Sequence, residues 1–245
     1  MKRREELILL HRWPYGETSW VLRALGRGCG VVSLVAKGAR RPKSRVSGAL
    51  EPCSLSEVVW SAREGAELGT LVGATLLQGW PSVRADLLRS ATAMALCEFP
   101  LRFRPEGEGN APWFDHLLAG LRWLDGRTEF TPAASAAVLA RFALRLAEEC
   151  GVGLSLSRCA KCGAELERAA LFVGSAGGFY CGECAWESDP SAETLRLLAM
   201  GKTPEAGLDE LERAEARAVD HLSAGLDIPL KLGALEFLKG LRRGR

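Results

Sequence analysis

Apolar residues come in short runs over the first eighty positions and then at a spacing of three and four. Leu7 to Arg12 is a short apolar run that ends at Trp13-Pro14-Tyr15-Gly16-Glu17, which reads as a turn. Ser19 to Leu25 is rich in β-formers and stops at Gly26-Arg27-Gly28-Cys29-Gly30. Val31 to Ala36 is nearly all apolar, as in a strand buried on both faces or a barrel strand. Leu50 to Ala62 and Leu68 to Leu77 supply two more strands, with Glu64-Gly65-Ala66 as a hairpin loop between them. Five short strands with glycine-rich joints point to a small β-barrel. A five-stranded Greek-key barrel of the OB type fits the count and the length. An SH3-like barrel fits the count nearly as well.

The pattern changes at Trp80-Pro81-Ser82. Leu87, Leu88, Ala91, Ala95 and Leu96 mark one helix, and Leu117, Leu118, Leu121 and Leu124 a second. Thr131-Pro132 is a start signal, with Thr as N-cap and Pro at the first helical position, and Gly151 closes that helix. Leu195 and Leu198 belong to a short helix stopped by Gly201. Thr203-Pro204 repeats the start signal ahead of Leu208, Leu211, Ala218 and Leu222. Leu232, Leu235, Leu238 and Leu241 form the last stripe. These stripes are core packing and carry no chemistry. Between Arg104 and Ala111 the sequence reads as a loop. The expected class is α+β, with a barrel over residues 1–80, a helical domain over 81–245, and an insertion at 155–186.

Charge adds an asymmetry. The chain is formally +2, but residues 1–50 hold eleven Lys and Arg against three Glu, and the remainder is net acidic by six. A basic barrel beside an acidic body implies a polyanionic partner for the barrel. The cations concentrate in Lys37-Gly38-Ala39-Arg40-Arg41-Pro42-Lys43-Ser44-Arg45, a loop between two strands. Lys and Arg on such a turn suit phosphate contacts without base readout. By itself the run also reads as a solvated loop. Lys37, Arg40, Arg41, Lys43 and Arg45 are the candidate phosphate contacts, together with Arg12 and Arg23 on the flanking strands. Trp13, Tyr15, Trp20 and Trp60 are the aromatic residues of this region that a base could stack on. The tail is basic again, with Lys231, Lys239, Arg242, Arg243 and Arg245 against Glu236, as at the end of a capped helix.

The sharpest motif is Cys159-x2-Cys162, eighteen residues, Cys181-x2-Cys184. This is the spacing of a four-thiolate zinc site. Leu171-Phe172-Val173 and Gly178-Phe179-Tyr180 can pair as a hairpin between the two knuckles, giving a zinc ribbon. Two disulfides or four unrelated thiols are the alternatives, and a cytosolic chain disfavours the disulfides. Four protein ligands leave no place for water, so a single Zn2+ here is structural. From Ser155 to Trp186 three basic residues face three acids, so the ribbon lacks a phosphate footprint. Cys29, Cys53, Cys97 and Cys150 stand alone and read as small buried hydrophobes.

Other signals dissolve. Gly201-Lys202-Thr203 resembles the end of a phosphate-binding loop, but that motif needs Gly where Arg196 stands and a strand where a helix stands. Gly26-x-Gly28-x-Gly30 lacks dinucleotide spacing. His11, His116 and His221 are scattered, and no nucleophile or acid pair has a catalytic setting, so no enzyme is expected. No apolar run reaches the roughly 18 residues of a membrane span, and no signal peptide is legible at the N-terminus.

A small basic barrel, a helical body and a four-Cys ribbon before the last helices together resemble the RecO family of bacterial DNA repair and recombination mediators. The residues that carry the resemblance are Tyr15-Gly16-Glu17-Thr18-Ser19, Lys37-Gly38-Ala39-Arg40-Arg41, and Lys43-Ser44-Arg45 leading to Leu50-Glu51-Pro52, with the ribbon matching the zinc-bearing branch. Cys53, where an aromatic is expected, and the glycine-rich turn at Gly26 to Gly30 depart from the pattern. The resemblance implies binding of single- and double-stranded DNA, annealing of complementary strands, and partnership with RecR and with the acidic tail of single-strand binding protein. It also implies help in loading RecA and a cytoplasmic, nucleoid-associated setting. A protein-interaction scaffold, or an RNA-associated barrel-and-ribbon protein with incidental DNA binding, is the rival reading.

Overall fold

The computed structural model describes residues 2–63, 65, 67–103, 111–229 and 232–244. The loop expected between Arg104 and Ala111 therefore lies largely outside the described residues, as do Lys231 and Arg245, and Glu64 and Ala66 of the hairpin loop. Five strands close a barrel: β1 (Lys2–Tyr15), β2 (Ser19–Gly26), β3 (Gly30–Ala36), β4 (Leu55–Ser61) and β5 (Leu68–Gln78). Their order is β1-β2-β3-β5-β4, with β1 also paired to β4. β5 therefore inserts between β3 and β4, and its pairing with β3 is parallel. That return is a Greek key, which decides for the OB-type barrel over the SH3-like one.

β1 is twice as long as its apolar run because it serves two partners. Lys2 to Ile8 pair with β4, while Leu7 to Tyr15 pair with β2, and the register slips between Leu9 and His11. Such a slip bends a strand and lets the sheet close. Trp13-Pro14-Tyr15 is thus strand rather than turn. Pro14 is tolerated because this half of β1 has β2 on one side only. The turn proper is Gly16 to Thr18, with Gly16 at φ +59°. β4 starts five residues later than expected. Ser47–Leu50 forms a 3-10 turn, and the Ser54 and Ser56 hydroxyls donate to Glu51 O (2.6 Å) and Ala49 O (2.7 Å), holding that turn against the start of β4.

Leu7, Leu9, Leu22, Leu34, Leu50, Val58 and Trp60 fill the barrel. Where β3 meets β5 the chains approach so closely that a β-carbon on Gly69 would lie 2.8 Å from Leu34. Glycine is needed there for space.

The helices are α1 (Pro81–Ala85), α2 (Leu87–Phe103), α3 (Ala111–Gly126), α4 (Pro132–Glu149), α5 (Pro190–Ala199), α6 (Leu208–Gly225) and α7 (Gly233–Arg242). Thr131 caps α4 through Ala134 N (3.2 Å), and Gly151 and Gly201 follow α4 and α5 at φ +76°. Thr203-Pro204 does not start α6, which opens at Leu208 after Gly207. Thr203 instead meets Arg141, whose guanidinium also holds Lys202 O. By packing the chain forms two compact units, Met1–Thr128 with Leu232–Arg245, and Glu129–Lys231. The first joins the barrel to α1, α2, α3 and α7, with α2 against β1 and against α7. The second holds α4, α5, α6 and the cysteine segment. Among the described residues no helix is long and apolar enough to cross a membrane.

Candidate functional site

The basic stretch leaves β3 as a chain of turns. Gly38 sits at φ +69°, Arg41 N donates to Gly38 O (3.1 Å) and Ser44 N to Arg41 O (3.0 Å). Buried Ala39 pins the stretch to the barrel core. Arg40 ties it to the β1–β2 turn: its backbone N donates to Thr18 O and its Nη1 to Gly16 O, both at 2.9 Å. The Arg40 guanidinium also lies 5.2 Å from the centre of the Trp20 ring, and that of Arg12 lies 4.7 Å from it. Both cations thus share one aromatic ring.

This geometry sorts the seven cations. Arg12 is committed inward, to Glu51 Oε2 (2.7 Å) and Leu50 O (3.0 Å). Arg40 shapes the loop. Lys37, Arg41, Lys43 and Arg45 are exposed on it. Arg23 is on a different part of the surface. It lines a groove of about 680 Å³ along β2, β3 and the start of β5, together with Arg3, Arg63 and Trp13. Arg3 and Arg63 escaped the sequence reading because nothing local relates them. They meet only because β1 and the β4–β5 loop close the barrel. Of the four aromatics, Trp60 is 2 % exposed and belongs to the core, whereas Trp13 and Tyr15 are exposed at 36 % and 58 %.

A second groove, about 630 Å³, runs between β1, α2 and α7. Leu10, Trp13, Leu87, Met94 and Phe237 form its apolar surface, with Arg23 and Arg102 among the lining groups. Four of these apolar side chains are otherwise exposed. Lys239 of α7 pairs with Glu236 at 3.2 Å.

In the second unit the cysteine segment forms the expected hairpin, β6 (Leu171–Val173) with β7 (Gly178–Tyr180). Gly163 at φ +74° follows the first knuckle, and Gly163 N donates to Cys159 O at 2.9 Å. The knuckles bring the sulfurs of Cys159, Cys162, Cys181 and Cys184 within 4.8 Å of one another. All four are free thiols, and Cys162 and Cys181 are 3.9 Å apart at sulfur. Tetrahedral Zn–S bonds of about 2.3 Å put sulfurs roughly 3.8 Å apart, so the donor set and its spacing fit a divalent metal ion. Burial works against ionising Cys159, but donors from the 161, 162 and 181 backbone overcome it and pull the thiol down to about 6. Cys184 is pushed up to about 12, first by its hydrogen bond with Cys162 and then by burial. Cys159 thus ionises readily while Cys184 holds its proton until a cation compensates the charge.

Arg196 holds this segment. Its buried guanidinium donates to Leu156 O (2.7 Å), Leu166 O (2.6 Å) and Glu167 O (3.2 Å) and pairs with Glu193 at 3.1 Å. Glu193 in turn accepts from Ala169 N at 2.7 Å. The residue that disqualified the phosphate loop thus clamps the segments on either side of the first knuckle. Of the isolated cysteines, Cys53 and Cys97 are buried as expected, but Cys29 and Cys150 are half-buried. Each of those two sits at an element boundary, where a turn leaves one side open.

Two family models match the chain, Recombination protein O N terminal over residues 1–80 and Recombination protein O C terminal over residues 84–218. The chain belongs to the RecO family. The relatives it resembles are each named DNA repair protein RecO. That of Rubrobacter xylanophilus is 32% identical over 217 residues, covering 87% of this chain and 84% of the relative. That of Streptomyces griseus is 34% identical over 204 residues, 80% of each chain. That of Dehalococcoides mccartyi is 31% identical over 178 residues, 72% of this chain and 68% of the relative. The N-terminal RecO model coincides with the barrel. The C-terminal one runs through the four-Cys ribbon, so both regions belong to the family frame.

Proposed function

We propose that this RecO-family chain is a DNA repair and recombination mediator. It binds single- and double-stranded DNA on the barrel, anneals complementary strands, and with RecR helps load RecA onto strands coated with single-strand binding protein. The observation that carries the reading is the division of labour in the basic loop. Arg40 fixes its shape, and Lys37, Arg41, Lys43 and Arg45 project from it. Cations held on a shaped turn neutralise phosphates and release counterions. Two strands on one neutralised surface repel each other less, and pairing follows. This work involves no covalent step. Arg3, Arg23 and Arg63 with Trp13 extend the footprint along the barrel groove, where a base can stack on an exposed indole. The β2–β3 face is where OB barrels take oligonucleotides.

The groove between β1, α2 and α7 suits the acidic, apolar-ended tail of single-strand binding protein. Its apolar floor would take the tail's side chains and Arg23 its carboxylates, while Arg102 is already paired with Glu98 of the same groove at 3.2 Å. The four ribbon cysteines would hold one structural Zn2+, which would tie the knuckles together through Zn–S coordination and add no reactivity.

The test is annealing and binding of complementary oligonucleotides by wild type and by a Lys37→Ala, Arg41→Ala, Lys43→Ala, Arg45→Ala variant. Removing four phosphate contacts lowers the slope of log K against log salt by about 3 to 4, and affinity at 0.1 M salt by roughly 10²- to 10³-fold. A folded variant that binds and anneals like wild type would sink the DNA role of the loop and favour the scaffold reading.

A further inference from the structure

Cys53 and Cys97 lie forty-four residues apart in sequence, and their sulfurs are 3.6 Å apart in the interior of the first unit. Cys53 sits between the 3-10 turn and β4, and Cys97 is in the middle of α2. We propose that these two thiols form a disulfide-forming dithiol, a modification site that staples the barrel to α2 under a small oxidant such as hydrogen peroxide.

Three features support it. The first is the backbone of Cys53. It is at φ +65°, a conformation that favours glycine and costs other residues about 1 kcal/mol. It is nonetheless locked there: Cys53 N donates to Leu9 O (2.7 Å), and Trp80 Nε1 donates to Cys53 O (2.8 Å). A side chain kept at a strained position points to a use for that side chain. The second is access. A cleft of about 200 Å³ is lined by Cys53 with Trp80, Met94 and Arg84, room for a peroxide molecule. The third is contact. Cys97 S–H donates to the Cys53 sulfur, which lines the cleft while Cys97 lies behind it, so a resolving thiol already touches the sulfur that an oxidant would meet first. Cys97 is fully buried, and its thiol is raised well above its usual value by that hydrogen bond and by burial.

These roles give a balanced sequence. The Cys53 sulfur attacks a peroxide oxygen, the O–O bond breaks, and the leaving hydroxide takes a proton to become water. This leaves a sulfenic acid on Cys53. The Cys97 sulfur then attacks the Cys53 sulfur and expels hydroxide, which leaves as water with the Cys97 proton. The peroxide gains two electrons and each sulfur gives up one. The product is a cross-link that a dithiol reductant reverses.

The experiment is peroxide treatment of the native full chain, followed by alkylation in denaturant and non-reducing peptide mapping. The expected product is a peptide pair joined at Cys53 and Cys97, lost on reduction. In Cys97→Ala the sulfenic acid on Cys53 persists and is trapped by dimedone, whereas in Cys53→Ala Cys97 stays a thiol. The wild-type map is independent of how well either variant folds. Recovery of both residues as alkylatable thiols, while the four ribbon cysteines are oxidised, would overturn the proposal. So would cross-links that join Cys53 or Cys97 only to other cysteines.

Discussion

The basic loop and the cysteine ribbon solve opposite problems. The ribbon is written in a spacing, two knuckles and eighteen residues, and folds to bring its four sulfurs within 4.8 Å. Its ligand set is local, since each knuckle turn presents two thiols, although Arg196 braces the segment from α5. The basic loop is written only as a charge run, which a solvated surface produces equally well. What shapes it is a distant turn: Arg40 reaches Gly16 and Thr18 between β1 and β2, while Lys37, Arg41, Lys43 and Arg45 lie exposed along the loop. Short-range motifs declare themselves, whereas electrostatic surfaces depend on which charges the fold has already spent.

That contrast can be broken at several points. Metal removal should have the largest effect. Chelation, or Cys159→Ser, should unfold the ribbon, because structural zinc binding supplies about 10–16 kcal/mol that is folding free energy. Loss of β6–β7 signals by NMR, with salt-dependent DNA binding retained, is the expected pair of results. Loss of DNA binding in step with the metal would show that binding depends on the ribbon as well as the barrel.

Arg196→Met comes next. It leaves three backbone carbonyls of the ribbon and the Glu193 carboxylate without their shared donor, a loss of about 3–5 kcal/mol for a buried, partnered charge. A denaturation midpoint unchanged from wild type would show that the ribbon holds itself.

Single substitutions of the engaged cations sharpen the other side. Arg12→Ala should lower stability by about 1 kcal/mol, through the lost bond to Leu50 O, the half-exposed pair with Glu51 and the Trp20 contact. Its effect on the salt slope should be small. Lys43→Ala should do the reverse, reducing the slope by about 1 with no stability change. Interchange of the two phenotypes would mean that the exposed and engaged sets are assigned the wrong way round.

The smallest effect is a pH dependence of the barrel unit. Burial first, and then the neighbouring Glu5, push Cys29 up from 9.0 to about 12. In the unfolded chain the thiol ionises near 9, in the folded chain only near 12. Its contribution is therefore complete below pH 9 and is lost as pH rises from 9 to 12. Urea midpoints across that window should fall more steeply for wild type than for Cys29→Ala.

Much of the architecture was legible because it is local. β2, β3 and β5 begin and end within a residue of their apolar runs, and the β6–β7 hairpin forms at the residues that the pattern marks. β1 departs from its pattern because tertiary pairing overrides local texture, and β4 because short-range side-chain bonds hold Ser47–Leu50 in a 3-10 turn. Pro14 reads as a breaker until β1 is seen to have one partner there, and Leu50 reads as strand until Ser54 and Ser56 are seen to fold back on the 3-10 turn. The false start at Thr203-Pro204 has the same origin as the departure in β1, since Arg141 claims that threonine from another helix.

By itself, then, the sequence determined the class, the strand count, the four-thiol site and a barrel carrying the excess positive charge. These follow from periodicity, turn chemistry and ligand spacing, which act over a few residues. Only the tertiary structure decided the Greek-key order, the meeting of Arg3, Arg23 and Arg63 in one groove, the clamp at Arg196, the contact of Cys53 with Cys97, and which cation of the basic loop is tied to the β1–β2 turn. All of these depend on which distant segments share a surface, and no local pattern records that.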